Sequence, residues 1–188
     1  MIITKEYLEN YLFTEIDDSF DPYLEGLIQS AQDYIEKYIN RKLIKEQTIS
    51  ARYFDGNNLN KITIDDCSDI EEVYIDDILN TEFLGYPYNT NAYTSIRLKN
   101  GNFNYGTANI TVKAKWGVFP EDEIPADIKL ACAMLLSNML NANNNTATGK
   151  EVKSETIGRY SVSYISSIER EKLLPVNALL DKYRKIGL

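Results

Sequence analysis

The residues best suited to chemistry in this chain are its carboxylates, and their densest run is DDCSDIEE at 65–72, followed by Asp76 and Asp77. Clustered acids of this kind could hold calcium. An EF-hand loop, however, needs acids at alternate positions, a central glycine and a terminal glutamate. This run lacks the glycine and the spacing, so it reads as a solvated turn rim and no metal is expected. Paired carboxylates could also serve glycoside hydrolysis, but among 28 acids nothing singles out one pair. Histidine is absent. That removes the commonest general base, the commonest zinc ligand and every Ser–His or Cys–His nucleophile pair. Gly101, Gly106 and Gly117 follow strand-like pieces, yet neither G-x-G-x-x-G nor a P-loop is present. They read as turn residues, and no cofactor is expected. Fourteen tyrosines could form a sugar- or base-stacking platform. The plainer expectation is that Tyr34 and Tyr38 line a helix stripe while others sit in strands or at protein interfaces. No catalytic, cofactor-binding or metal-binding residue emerges from the residue types and their spacing.

The composition is that of a folded chain. Hydrophobic residues make up 44% of the 188 positions and charged residues 26%, which sets it apart from disordered sequences. A net charge of −8 argues against a protein that grips nucleic acid by neutralising phosphates. No apolar run approaches the roughly 20 residues that span a bilayer, so no membrane partner is expected. The opening MIITKEYLENYL places acids where a signal peptide carries its apolar stretch. A cytoplasmic site of synthesis and assembly follows, with Cys67 (in a loop-like stretch) and Cys132 as free thiols. The sequons at Asn109 and Asn144 are then chance matches.

Hydrophobic spacing sets the elements. Thr4 is placed to cap a short first helix. A longer one runs from about Asp21 to Asn40, with Pro22 in its first turn and Leu24, Leu27, Ile28, Ala31, Tyr34, Ile35, Tyr38 and Ile39 in one stripe. After Arg41 the pattern turns strand-like, at 48–58, 61–64, 71–75, 95–98 and 109–116. The last is clearest: Ile110, Val112, Ala114 and Trp116 alternate with Thr111, Lys113 and Lys115. Pro125 then fits the start of a broadly apolar helix. The Asn-rich 141–150 offers nothing to pack and reads, with the residues to 155, as a mobile arm. Beyond it TIGRYSVSY alternates like a strand. Pro175 is expected to open a last helix bearing Val176, Leu179, Leu180, Tyr183 and Ile186. The fold class is therefore α+β: about four helices forming a core (1–46 and 118–188), with a small antiparallel β-domain inserted at 47–117.

Several segments occur in a telling order: YLEGLIQSAQDYIEKYINR (23–41), YFDGNN (53–58), IEEVYID (70–76), GTANITVKAKWG (106–117), IPADIKLACAMLL (124–136), SETIGRYSVSY (154–164) and LLDKYRK (179–185). In this order they resemble the tailed-phage head–tail connectors, also called head completion or portal adaptor proteins. The resemblance covers nearly the whole chain. It implies a structural virion protein and not an enzyme, placed at the head–tail interface and forming a ring under the portal. The ring, expected to follow the portal's twelvefold symmetry, would extend the DNA channel and dock a stopper or tail-completion protein. DNA would pass through without specific binding, as an acidic protein permits.

Two segments are the expected interfaces. The strand-like piece, with Ile157, Gly158, Tyr160, Val162 and Tyr164, lacks an obvious partner in a helical core and could add to a neighbour's sheet. The basic tip Tyr183, Arg184 and Lys185 is expected to reach the portal, while Leu179 and Leu180 pack within the subunit. A monomeric binding module whose β-insert recognises a host surface or glycan is the alternative, and an enzyme working through carboxylates is a third. They differ in what they require: a ring, an exposed aromatic patch on the insert, or a cleft with paired acids.

Overall fold

The computed structural model describes residues 1–90, 92–145, 154–157, 160–163 and 167–185, with backbone alone for 141–145, 154–157, 160–163 and 167–172. Four α-helices and a six-stranded antiparallel sheet make an α+β architecture. The chain divides into a helical unit, Met1–Asn40 with Pro125–Leu188, and a β-unit, Arg41–Ile124. The β-unit thus takes in 41–46 and 118–124 as well as the expected 47–117.

In the helical unit, α1 (Lys5–Leu12) starts at the Thr4 cap, whose hydroxyl accepts from the Tyr7 amide at 3.2 Å. It ends at Phe13, in the left-handed region (φ 55°). Helix α2 (Asp21–Ile39) carries Pro22 in its first turn and buries Leu24, Ile28, Ala31, Ile35 and Ile39. These recur at three and four residues, so one face is apolar. Helix α3 (Ala126–Asn145) packs against α2 and buries Ile128, Ala131, Cys132, Ala133, Leu135 and Leu136. It continues through Asn141–Asn145, into the stretch expected to be unpacked. Burial pushes the Cys132 thiol up to about 12, so it stays protonated and unreactive.

Helix α4 (Ser167–Leu180) packs on α3 and buries Val176 and Leu180. Its start corrects an expectation. Pro175 lies inside the helix, not at its head. The missing proline N–H removes one backbone bond, but the preceding run from Ile168 to Leu174 is built of good helix formers and carries the helix across. Leu180 is buried as expected, and Leu179 is half-buried.

In the β-unit the sheet order is β1 (Ser50–Gly56), β6 (Gly106–Trp116), β2 (Lys61–Ile75), β5 (Tyr93–Leu98), β4 (Phe83–Tyr86), with β3 (Ile78–Asn80) pairing the end of β2. All named pairings are antiparallel. Ile62, Ile64, Cys67, Val73, Ile96, Leu98, Phe103, Ile110, Val112, Ala114 and Trp116 form its core. The inward row expected of β6 is therefore the row that is buried.

Strand β2 differs from expectation. The acidic run at 65–72 is not a turn rim but the middle of one 15-residue strand. Its register breaks between Thr63 and Cys67 on one side and between Ser68 and Glu72 on the other. These bulges interrupt strict alternation and bury three successive residues, Asp66, Cys67 and Ser68. Arg41 holds the Asp66 carboxylate from two sides, Nε to Oδ2 at 3.0 Å and Nη2 to Oδ1 at 2.6 Å. Cys67, expected in a loop, is a core residue.

The segment 42–46 runs beside 116–119. Lys45 donates to the Phe119 carbonyl and Glu46 to that of Trp116, both at 2.8 Å. The Phe119 amide returns to Leu43. Gly117 makes this approach feasible: it sits at φ +122°, and a Cβ there would lie 2.4 Å from the Ile44 carbonyl oxygen.

Candidate assembly surfaces

The C-terminal segment is strapped to α2. Tyr34 and Tyr38, one turn apart, stack with ring centroids 6.4 Å apart. The Tyr34 hydroxyl donates to Asn177 at 3.3 Å and the Tyr38 hydroxyl to Asp181 at 2.6 Å. The acceptor carboxylate of Asp181 raises the Tyr38 phenol above its ordinary value, because the bond favours the protonated form. Lys182 pairs with Asp127 of α3, which holds the ammonium above its usual range. A short 3-10 turn, Asp181–Tyr183, follows α4. The Arg184 guanidinium then lies 5.5 Å from the Tyr38 ring, and the Lys185 amide donates to the Ile39 carbonyl at 2.8 Å. That amide satisfies one of the carbonyls left open at the end of α2.

The structure thus brings Tyr183, Arg184 and Lys185 together beside the last turn of α2. Tyr183 and Lys185 are half-buried and Arg184 is exposed. The tip is anchored on its own subunit through backbone and ring contacts, with the Arg184 side chain at the surface. Nothing in the sequence marked Tyr38 and Asp181 as partners, since they stand 143 residues apart.

The strand-like piece of the arm has a partner after all. Strand β7 (Ser154–Ile157) pairs antiparallel with β8 (Tyr160–Ser163), in register Ser154↔Ser163 to Ile157↔Tyr160. Ile157, Tyr160 and Val162 therefore belong to one hairpin. Gly158 and Tyr164 lie outside the described residues. Two strands alone are marginal in water, and among the described residues no third strand joins them.

The β-unit presents exposed apolar side chains on its strands, including Tyr53, Leu79, Leu84 and Tyr86. Across four strands, Tyr53, Thr111, Tyr74 and Leu79 share one row by register. Beside it Lys113 pairs with Glu72 at 2.7 Å, and the Tyr74 hydroxyl donates to the same carboxylate at 2.8 Å. These bonds hold Glu72 below the usual carboxylate range, Lys113 first among them. Among the described residues no group of three or more Cys, Asp or Glu side chains is gathered to hold a metal.

A family model described as "Head completion protein" matches residues 1–186. Three solved chains share the fold. One, in the neck of an empty gene transfer agent particle computed with C6 symmetry, is 12% identical, with a TM-score of 0.63 over 97% of this chain and 88% of that one. A second, in the virion of the native gene transfer agent particle, is 13% identical, with a TM-score of 0.62 over 97% and 89%. A third, in the neck of the native particle computed with C12 symmetry, is 12% identical, with a TM-score of 0.53 over 91% and 86%. No curated protein matches the chain.

Proposed function

The chain belongs to the head completion protein family, and on that premise we propose that it is a structural subunit of the neck joining head to tail in a phage-like particle. The match over residues 1–186 carries this reading. The shared fold with subunits of necks computed with C6 and C12 symmetry supports it. The role is structural and not enzymatic. In finer detail, the subunits form a ring, of twelvefold order, beneath the portal. The ring continues the DNA channel and offers the surface on which a stopper or tail docks. DNA passes without specific binding, since a chain of net charge −8 holds phosphates weakly. Deleting the gene should leave DNA-filled heads that fail to take tails, and adding the purified chain should restore joining. Normal tailed particles in the deletion would overturn the reading.

Two elements are proposed for contact with partners. The β7–β8 hairpin, which no third strand joins among the described residues, can extend a sheet on an adjacent subunit or on the portal. The exposed Arg184, with Lys185, can steer the tip onto an acidic portal rim. Replacing both by glutamate should cost the fold about 1 kcal/mol or less, the scale of an exposed cation–π contact. Portal attachment should weaken, most at low salt, where exposed charges are least screened. Unchanged binding to portal at low ionic strength would shift the docking role to the hairpin.

A further inference from the structure

All but three of the lysines and arginines in the β-unit are paired with carboxylates. Arg41 meets Asp66, Lys42 and Arg52 meet Glu46, Arg52 also meets Asp65, Lys45 and Lys115 meet Asp69, and Lys113 meets Glu72. Lys61, Arg97 and Lys99 are the exceptions. They are exposed and make no ion pair among the described residues.

Two of these, Lys61 and Arg97, share one face of the sheet, and Lys99 lies just past the end of the same strand as Arg97. Register aligns Lys61 of β2, Arg97 of β5 and Leu84 of β4 in one cross-strand row, and the next row holds Thr63, Ser95 and Tyr86. Lys99 follows directly on the end of β5, its amide donating to the Glu82 carbonyl at 2.9 Å. The Lys61 ammonium lies 4.4 Å from the Tyr86 ring, and Tyr88 meets Tyr86 edge-on at 5.3 Å. The opposite side of these strands carries Ile62, Ile96 and Leu98 of the core. The outward face is therefore a cationic patch bordered by tyrosines, on an acidic chain whose neighbouring cations are all neutralised. Exposed tyrosine and arginine together are the composition of a protein-binding surface.

We propose that this face docks the acidic turn Glu121–Glu123 of a second copy of the chain. The turn belongs to the same unit and is exposed at all three positions. It is a single 3-10 turn between Pro120 and Pro125, so its backbone has little conformational freedom left to lose on docking. Charge complementarity selects it as the occupant: successive carboxylates face cations that make no ion pair among the described residues, the nearby Glu82 carboxylate being taken by the Asn100 amide at 2.7 Å. Because donor and acceptor surfaces differ, the contact is head-to-tail, the kind that closes a ring. The proposal rests on the ring reading above and names the surfaces that would build that ring.

The test uses rings assembled on heads from an equal mixture of isotopically heavy and light chains. Carbodiimide, which joins amines to adjacent carboxylates, should give heavy–light pairs linking Lys61 or Lys99 to residues 121–123. The triple variant Lys61→Glu, Arg97→Glu, Lys99→Glu should need about 100-fold more protein to assemble, as opposed like charges demand. Mixing it with the variant Glu121→Lys, Asp122→Lys, Glu123→Lys should restore assembly that neither supports alone. If rings form but the links map elsewhere, or if the triple variant assembles normally, the docking face is overturned and the ring reading stands. If no ring forms with the wild-type chain, the ring reading itself fails. Retention of duplex DNA by the wild type, lost in the triple variant, would reassign the face to phosphate.

Discussion

Replacing Trp116 by alanine should lower the stability of the β-unit by about 3–5 kcal/mol, the scale of a buried large aromatic truncated in a core. The indole is fully buried and ends the inward row of β6. Its ring lies 5.9 Å from that of Phe54, and the Arg52 guanidinium sits 4.5 Å over it. Its N–H donates to the Ser50 carbonyl at 2.9 Å. Truncation would therefore open a cavity, leave that carbonyl without its donor and remove the surface on which Arg52 rests. All of these partners lie in the β-unit. Trp116→Phe keeps part of the ring packing but not the donor, and should fall between, at about 1–3 kcal/mol. Urea unfolding followed by far-UV circular dichroism measures both, since Trp116 is the only tryptophan. Wild-type emission should be blue-shifted and should move to the red on unfolding. Red-shifted emission from the folded protein, or an alanine variant with an unchanged midpoint, would contradict this packing.

What the sequence revealed of the fold followed the strength of local periodicity. Helix α2 and strand β6 each keep one period throughout, so their buried faces were legible residue by residue. Strand β2 was not. Its two bulges break alternation at 63–67 and 68–72, and the buried Asp66 looks polar until Arg41 is seen beside it. Strands β3 and β4 span only three and four residues, too few for a period to show. The start of α4 was obscured by Pro175, whose usual place is a first turn. At the candidate surfaces, types were legible and partners were not. The sequence marks Arg184 as a cation near a chain end, but only the fold sets it over Tyr38. Likewise the nine cations of the β-unit are indistinguishable in sequence; register alone sets Lys61 and Arg97 side by side on the β2–β5 face, apart from those that are paired.

Removing the arginine of the Arg41–Asp66 pair should be as costly as truncating the tryptophan. The Asp66 side chain is 3% exposed and that of Arg41 22%. Arg41→Met would leave a carboxylate out of water with its bidentate partner gone, a loss of about 3–5 kcal/mol. Asp66→Leu should cost less, because the more exposed guanidinium can reach solvent. The double variant Arg41→Met, Asp66→Leu should return close to wild-type stability, since two apolar side chains avoid the desolvation that the ion pair must offset. Arg41 and Asp66 both have further interactions, so the pair term comes from the full cycle and not from either single variant. The reason for a buried ion pair at this place is its position on the bulge. The Asp66 carbonyl accepts from the Gly117 amide at 2.8 Å, and register resumes at Cys67 opposite Trp116. We infer that the pair fixes where the bulge falls. The double variant should then keep its stability while amides at Cys67 and Gly117 exchange about tenfold faster or more, reporting local opening without global unfolding. A double variant as unstable as Arg41→Met would show that the pair itself stabilises the sheet; unchanged exchange at both amides would remove its role in setting register.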